Sequence, residues 1–377
     1  MKNIFSKTFF YNEKFIFVML FLFSAGIAIQ RHLIGAANYG NFIIFRNSFF
    51  HLINYQDLYL KYSHEYRDYF LYSPTFAVLM APFALLPIFP SMILWSVLNG
   101  ICIFFAIKML PFDVRKKFFL FLIIFMEFNT SLTNMQTNTL VVSFLIFTFA
   151  FLERKNNFLA ALFLVLTFYI KIYGIFAGIF FLMYPDKIKF ILSTIFWMLL
   201  LFLLPLIFIS FKHLSFLYQS WFYLTTAFQA DQTGVSLIGI LKTWFHFQPP
   251  TLWIELFGTF ILVLPFFKKK FFKNAHFRIF WLASFLIWSV IFNHMAESPS
   301  YIIALFGVGI WYLAVTPKKT EMILLGFVLI LTCLASSDAV PLSVRMHVIL
   351  PYSLKALPCV AVWLYIQYRL LFWKQSA

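Results

Sequence analysis

Residues 157–185 read NFLAALFLVLTFYIKIYGIFAGIFFLMYP, an apolar run with a single charge, Lys171, at its middle. A helical crossing of about 30 Å of hydrocarbon takes roughly twenty residues, so the run is too long for one span and too short for two full ones. Its flanks decide the reading. Arg154 and Lys155 precede it and Lys187 and Lys189 follow it. Basic residues collect on the cytoplasmic side of membrane proteins, so both ends belong there and the middle turns back near the outer face. Lys171 is then the tip of a hairpin.

The rest of the chain fits the same frame. Of 377 residues, 63% are hydrophobic and 11% charged, far more apolar than a soluble domain, which is roughly a quarter charged. The expectation is an all-α polytopic membrane protein forming a single integral membrane domain over 1–377. About twelve segments are expected: 14–34, 91–109, 116–130, 137–153, 157–170, 172–185, 188–211, 251–267, 278–293, 301–316, 321–336 and 348–372. The lysine-rich start reads as a start-anchor, and both termini fall on the cytoplasmic side. With that alternation 20 of the 29 Lys and Arg lie inside, leaving 9 outside. A formal charge of +16 would suit a nucleic-acid binder only if it formed one basic face, and here the charges are scattered between apolar runs. No nucleic-acid partner is expected. Cys102, Cys333 and Cys359 stand singly in apolar segments, without metal-ligand spacing or a disulfide framework.

Polar chemistry collects on the expected outer side. It holds a first outer loop at 35–90, the turn Asn129–Asn138 (NTSLTNMQTN), Lys171 with Tyr173, a long loop at 212–250, and Asn293–Ser300 (NHMAESPS). Within the first loop Phe42, Phe45, Phe49, Leu52 and Ile53 recur at helical spacing, which predicts a helix lying along the interface. Asp57, Glu65 and Asp68 follow, and then prolines 74, 82, 87 and 90 break an apolar stretch into a partly embedded segment at 73–90. Inner loops are short and basic, and neither a GxxxxGK[ST] nor a GxGxxG motif is present to hold a soluble nucleotide.

The order Asp57-Leu-Tyr59, Tyr72-Ser-Pro74, Pro82, Leu86-Pro87, Trp95 and Asn99 resembles the start of glycosyltransferase family 87. Later pieces keep the family's order: Gln136-Thr-Asn138 resembles its Gly-Gln-x-Asn turn, and Tyr169-Ile-Lys171 its lysine hairpin. Gln232–Gly239 (QTGVSLIG) resembles its Asn-Gln-Ser-Leu loop, and His294–Tyr301 (HMAESPSY) its last outer loop. The resemblance spans residues 38–301. It implies a GT-C-class membrane enzyme that takes a hexose, most plausibly mannose, from a polyprenyl-phosphate sugar to a lipid or glycan acceptor outside the cytoplasmic membrane. One departure stands out. Where the family carries an acid in an Asp-x-x-x-Tyr/Phe setting, this chain has Asn41-Phe-Ile-Ile-Phe45, and an amide does not take up a proton at neutral pH.

Such a transfer needs a carboxylate to accept the hydroxyl proton and donors to hold the departing phosphate. Asp68, with Arg67 beside it, leads the candidate bases, followed by Asp57 and Glu65; solvated loop acids carry the same signature. Lys171 is the expected phosphate contact, since a cation near membrane depth is functional by default, and His294 and Tyr173 join it. His294 and Glu297 form an expected proton-handling or phosphate-positioning pair. Gln136, Asn138, Gln232, Ser236 and Asn41 complete the sugar and acceptor contacts. No metal or other cofactor is implied. A secondary transporter would show internal repeats, which the sequence lacks, and a non-catalytic partner in envelope glycan assembly would tolerate Asn41.

Overall fold

The computed structural model describes residues 12–228, 234–335, 337 and 340–373. Among these residues every regular element is helical, as expected, and the chain divides into two compact units, Met1–Phe118 with Ser131–Ala230 and Phe119–Thr130 with Asp231–Ala377.

In the first unit α1 (Glu13–Ile34) leads to α2 (Gly40–Ile53), two short helices α3 (Pro74–Leu79) and α4 (Ala81–Ala84), and α5 (Ile88–Met109). Next come α6 (Val114–Thr133), whose residues 119–130 belong to the second unit, then α7 (Asn138–Glu153) and α8 (Asn157–Ile170). A 3-10 stretch Ile172–Met183 turns back along α8, and α9 (Lys187–Leu203) and α10 (Phe211–Phe228) close the unit. Lys171 caps α8 in extended conformation between the two arms, so the hairpin expected from the flanking charges is present. Glu13 at the start of α1 reaches Lys108 at the end of α5 (3.2 Å) and Lys117 in the first turn of α6 (3.6 Å). Three ends that the charge pattern assigns to one side therefore meet.

Local chemistry sets the boundaries. The Tyr-Ser-Pro turn starts α3 because the Ser73 hydroxyl accepts from the Phe76 N–H at 3.1 Å and Pro74 occupies the first helical position. Asn156 caps α8 by accepting from the Leu159 N–H. The periodic face of α2 forms as predicted, but Phe42, Phe45, Phe49 and Leu52 are buried against protein rather than laid along an interface. Phe45 meets Phe76 edge-on at 5.4 Å, and Trp95 contacts Phe42, Phe45 and Phe83. Bulk that could have anchored the helix to lipid headgroups instead builds this core.

The second unit contains α11 (Leu237–Phe245), α12 (Thr251–Val263), α13 (Ala275–Ile291), α14 (Tyr301–Ala314), α15 (Lys319–Phe327), α16 (Leu342–Val344) and α17 (Leu357–Leu371). Its core is the pair α13 and α14. A Cβ at Gly307 would stand 2.6 Å from the Ala283 carbonyl oxygen, so only glycine allows this approach. Close packing of this kind drives helix association where lipid removes the hydrophobic incentive.

Among the described residues four helical stretches are long and apolar enough to cross a membrane: Glu13–Ile34, Ile88–Met109, Lys187–Ile207 and Thr251–Phe271. Shorter apolar helices occupy most of the other expected segments. Three expectations change in form. The loop placed at 212–250 is largely α10 and α11, the latter capped by Ser236. The segment 73–90 is two short helices and the start of α5, with Pro74 and Pro82 each opening a helix. Of the last two segments, 321–336 passes from α15 into a π-helical stretch Val328–Leu334, and 348–372 becomes helical in earnest only at α17, which Pro358 opens.

The second unit also encloses an ion pair. Lys355, fully buried, donates to both oxygens of Glu127 on α6 at 2.9 and 2.8 Å and to the Ser298 hydroxyl at 2.8 Å, with its ammonium 5.1 Å from the Tyr301 ring centre. Removing one partner strands a buried charge. Glu127→Ala is therefore expected to lower unfolding stability in detergent by about 3–5 kcal/mol. The double substitution Glu127→Gln, Lys355→Met, which leaves no lone ion, should lose clearly less in the same denaturation measurement.

Candidate active site

In the first unit three of the expected outer pieces converge. The Tyr72 hydroxyl lies 3.4 Å from Gln136 Oε1, to which it donates, and 3.2 Å from the Thr137 hydroxyl. Ser73 donates to the Tyr169 carbonyl at 2.7 Å, tying the same turn to the last residues of α8. Two residues on, the Lys171 ammonium donates to Asn138 Oδ1 at 2.8 Å. Asn138 is fully buried, and its Nδ2 has no hydrogen-bond partner among the described residues. Asn41 Nδ2 donates to the Asn134 carbonyl at 2.9 Å, and Trp95 Nε1 to the Met135 carbonyl at 3.3 Å. Tyr173 lies at the start of the 3-10 stretch that follows Lys171. The turn 134–138 is thus held from α2, α5, the Tyr-Ser-Pro turn and the lysine hairpin.

The three loop acids differ in their surroundings. Glu65 accepts from Asn47 Nδ2 at 2.7 Å and pairs with His51 Nε2 at 3.1 Å, and the His51 ring stacks on Tyr62 at 3.9 Å. Both of its oxygens are engaged in folding the loop onto α2. Asp68 is exposed and accepts from the N–H of its neighbour Tyr69. Asp57 is half-buried; Oδ1 accepts from the Tyr59 N–H at 3.1 Å and Oδ2 from the Ser220 hydroxyl of α10 at 3.4 Å. Around it, burial first and then Tyr218 and Asp57 push the Tyr59 phenol well up. Burial, followed by Asp57 and Glu65, likewise raises Tyr62. Both phenols stay protonated and donate, Tyr59 to the Tyr72 carbonyl at 3.0 Å and Tyr62 to the Asp57 carbonyl at 2.7 Å. On α10, next to Ser220, a cavity of about 370 Å³ is lined by Phe202, Phe211, Ser215, Tyr218, Gln219 and Phe222.

The second unit holds the other expected residues. The pairing of His294 with Glu297 is replaced: His294 Nδ1 lies 2.6 Å from Glu255 Oε1 on α12, while Glu297 is exposed ahead of the short turn Ser298–Ser300. The backbone accounts for this. Gly234 N–H donates to the His294 carbonyl at 2.6 Å and Val235 N–H to the Ala296 carbonyl at 2.8 Å, and this bridge fixes residue 294 while Glu297 lies beyond it. The Ser236 hydroxyl, expected on a sugar, is buried and caps α11 by accepting from the Gly239 N–H at 3.4 Å. Gln232 lies outside the described residues.

Sequence reasoning passed over Glu255, Glu127, Lys355 and Ser220. The first three carried a signal, since each is an ion within an apolar segment, where the cost of burial points to a partner. Ser220, one small polar residue in an aromatic helix, carried none. Among the described residues no group of three or more His, Cys, Asp and Glu is placed to hold a metal ion.

The family model for glycosyltransferase family 87 matches residues 70–337, more than two thirds of the chain. No curated protein and no solved structure gives a significant match. The match takes in the Tyr-Ser-Pro turn, the 134–138 turn, Lys171 and His294, and it begins after Asn41, Asp57, Glu65 and Asp68. The chain belongs to glycosyltransferase family 87.

Proposed function

We propose that the protein transfers a hexose, most plausibly mannose, from a polyprenyl-phosphate sugar to a lipid or glycan acceptor on the extracytoplasmic side of the cell membrane. The observation that carries this reading is the contact of Lys171 with Asn138 beneath the Tyr72–Gln136–Thr137 cluster. A lysine held by a neutral amide can meet a monoanionic phosphodiester that gains charge as the sugar leaves. The unpartnered Asn138 Nδ2 and the hydroxyls and amides above it supply hydrogen-bond donors of the kind that sugar hydroxyls take. Membrane lipids are the surrounding solvent, and no cofactor enters.

Asp57 is the better candidate base. It has one oxygen on a mobile hydroxyl rather than two locked donors, as Glu65 has, and unlike Asp68 it is withdrawn from bulk water. The aromatic cavity beside Ser220 has the size and character to take part of an isoprenoid or acyl chain. In the reaction the acceptor hydroxyl would attack the anomeric carbon, its proton would pass to Asp57, and the anomeric C–O bond would break with its electron pair moving to the phosphate oxygen.

Membranes with matched levels of each variant, supplied with labelled polyprenyl-phosphate sugar, provide the test. Asp57→Asn should lower transfer by about 10²–10⁴-fold, the usual contribution of a general base, while Asp68→Asn should stay near the wild type. The opposite order would transfer the role to Asp68. Lys171→Ala should cost about 10²–10³-fold, as loss of a charge-stabilising donor does, and an unchanged rate would exclude it as the phosphate contact.

A further inference from the structure

Glu255 is the only ionisable residue of α12, whose sequence is TLWIELFGTFILV. Its neighbours Trp253, Leu256, Phe257 and Phe260 are all exposed apolar groups, so the helix shows a lipid-type surface and bears one acid near its start. That acid meets His294, which is 7% exposed. An ionised carboxylate only accepts hydrogen bonds, so the 2.6 Å contact places the hydrogen on Nδ1. The other ring nitrogen, Nε2, is buried and has no partner among the described residues. The backbone of residue 294 is fixed as well. The bridge from Gly234 and Val235 holds it, and a Cβ at Gly234 would come within 2.6 Å of the His294 carbonyl oxygen. The histidine is thus clamped at main chain and at Nδ1, and Nε2 alone is left open. A buried ring nitrogen without a partner is costly, and a ligand would remove that cost.

We propose that Glu255 is the positioning residue of His294, and that the pair forms an anion contact in which Nε2–H of the imidazolium donates to a phosphate oxygen of the lipid-linked substrate. Glu255 balances the imidazolium charge and fixes which nitrogen faces the ligand, the role of an outer-shell carboxylate on a working histidine. This rests on the transferase reading above and adds a residue to it.

The test uses the full chain, labelled with ¹⁵N-histidine in lipid nanodiscs, with the His294→Gln spectrum assigning the His294 signals. At a pH where the imidazole is neutral, the wild type should show the hydrogen on Nδ1. Glu255→Ala should move it to Nε2, the form an unconstrained imidazole favours, and Glu255→Gln, whose amide oxygen still accepts, should keep it on Nδ1. Polyprenyl phosphate without sugar should shift the His294 signal in the wild type. A shift with inorganic phosphate and not with the lipid would overturn the proposal, as would a wild-type hydrogen on Nε2. In the transfer assay Glu255→Ala should lower kcat by about 10–100-fold with little change in KM, and should add nothing in a His294→Ala background. Additive losses would mean a merely structural Glu255. A wild type that transfers no sugar would remove the transferase reading, and the tautomer measurement would still decide the pairing.

Discussion

The ammonium of Lys171 has to be satisfied at the turn of an apolar hairpin, and this constraint organises the first unit. A cation between two apolar arms is stable only if protein supplies its hydrogen-bond acceptor. Asn138 supplies one at 2.8 Å, and it can do so because it opens α7 at the end of a turn that other elements pin in place. Tyr72, Asn41 and Trp95 each bind that turn from a different helix or loop. Ser73 closes the circuit by holding the last turn of α8, two residues before the lysine. The polar atoms in this cluster come from segments far apart in the chain, so the cluster exists only when the helices pack.

Acids are used sparingly, and their partners sort them by task. Glu13 gathers Lys108 and Lys117, Glu153 accepts from Tyr184, and Glu321 accepts from Tyr365 near Arg369. Glu127 is locked to Lys355, and Glu65 to Asn47 and His51. Asp113 caps the first turn of α6 through Lys116 N–H. Each of these carboxylates has a structural occupation, because in a largely apolar chain a charge with no partner is destabilising. Asp57 and Glu255 differ in kind. Asp57 accepts from the Tyr59 N–H on one oxygen and from the Ser220 hydroxyl on the other, and Glu255 is bound by a histidine with a second nitrogen still open.

What could be read from the sequence was what depends on local periodicity and on charge. The Lys171 hairpin followed from its basic flanks, and the helix at 40–53 from its aromatic spacing. The family followed from short motifs in order. Contacts between distant segments could not be read. The apolar face of α2 looked the same whether lipid or Trp95 was to cover it. His294 had an acid three residues away in Glu297, and its actual partner, Glu255, comes from a helix that sequence alone treated as a plain span. The length of 212–250 suggested a loop, since α10 and α11 are amphipathic and lack the uniform apolarity that marks a crossing.

Asn41 has a structural occupation of its own. Its Nδ2 gives a hydrogen bond to the Asn134 carbonyl, on the turn that leads to Asn138. An ionised aspartate has no hydrogen to give and would set a negative oxygen against that carbonyl, pushing the turn away from α2. The asparagine therefore suits a tether and excludes a base at the same position. The family match begins at residue 70, after Asn41 and Asp57. Asp57, half-buried and bonded to Ser220 on α10, carries a carboxyl group where Asn41 has only an amide.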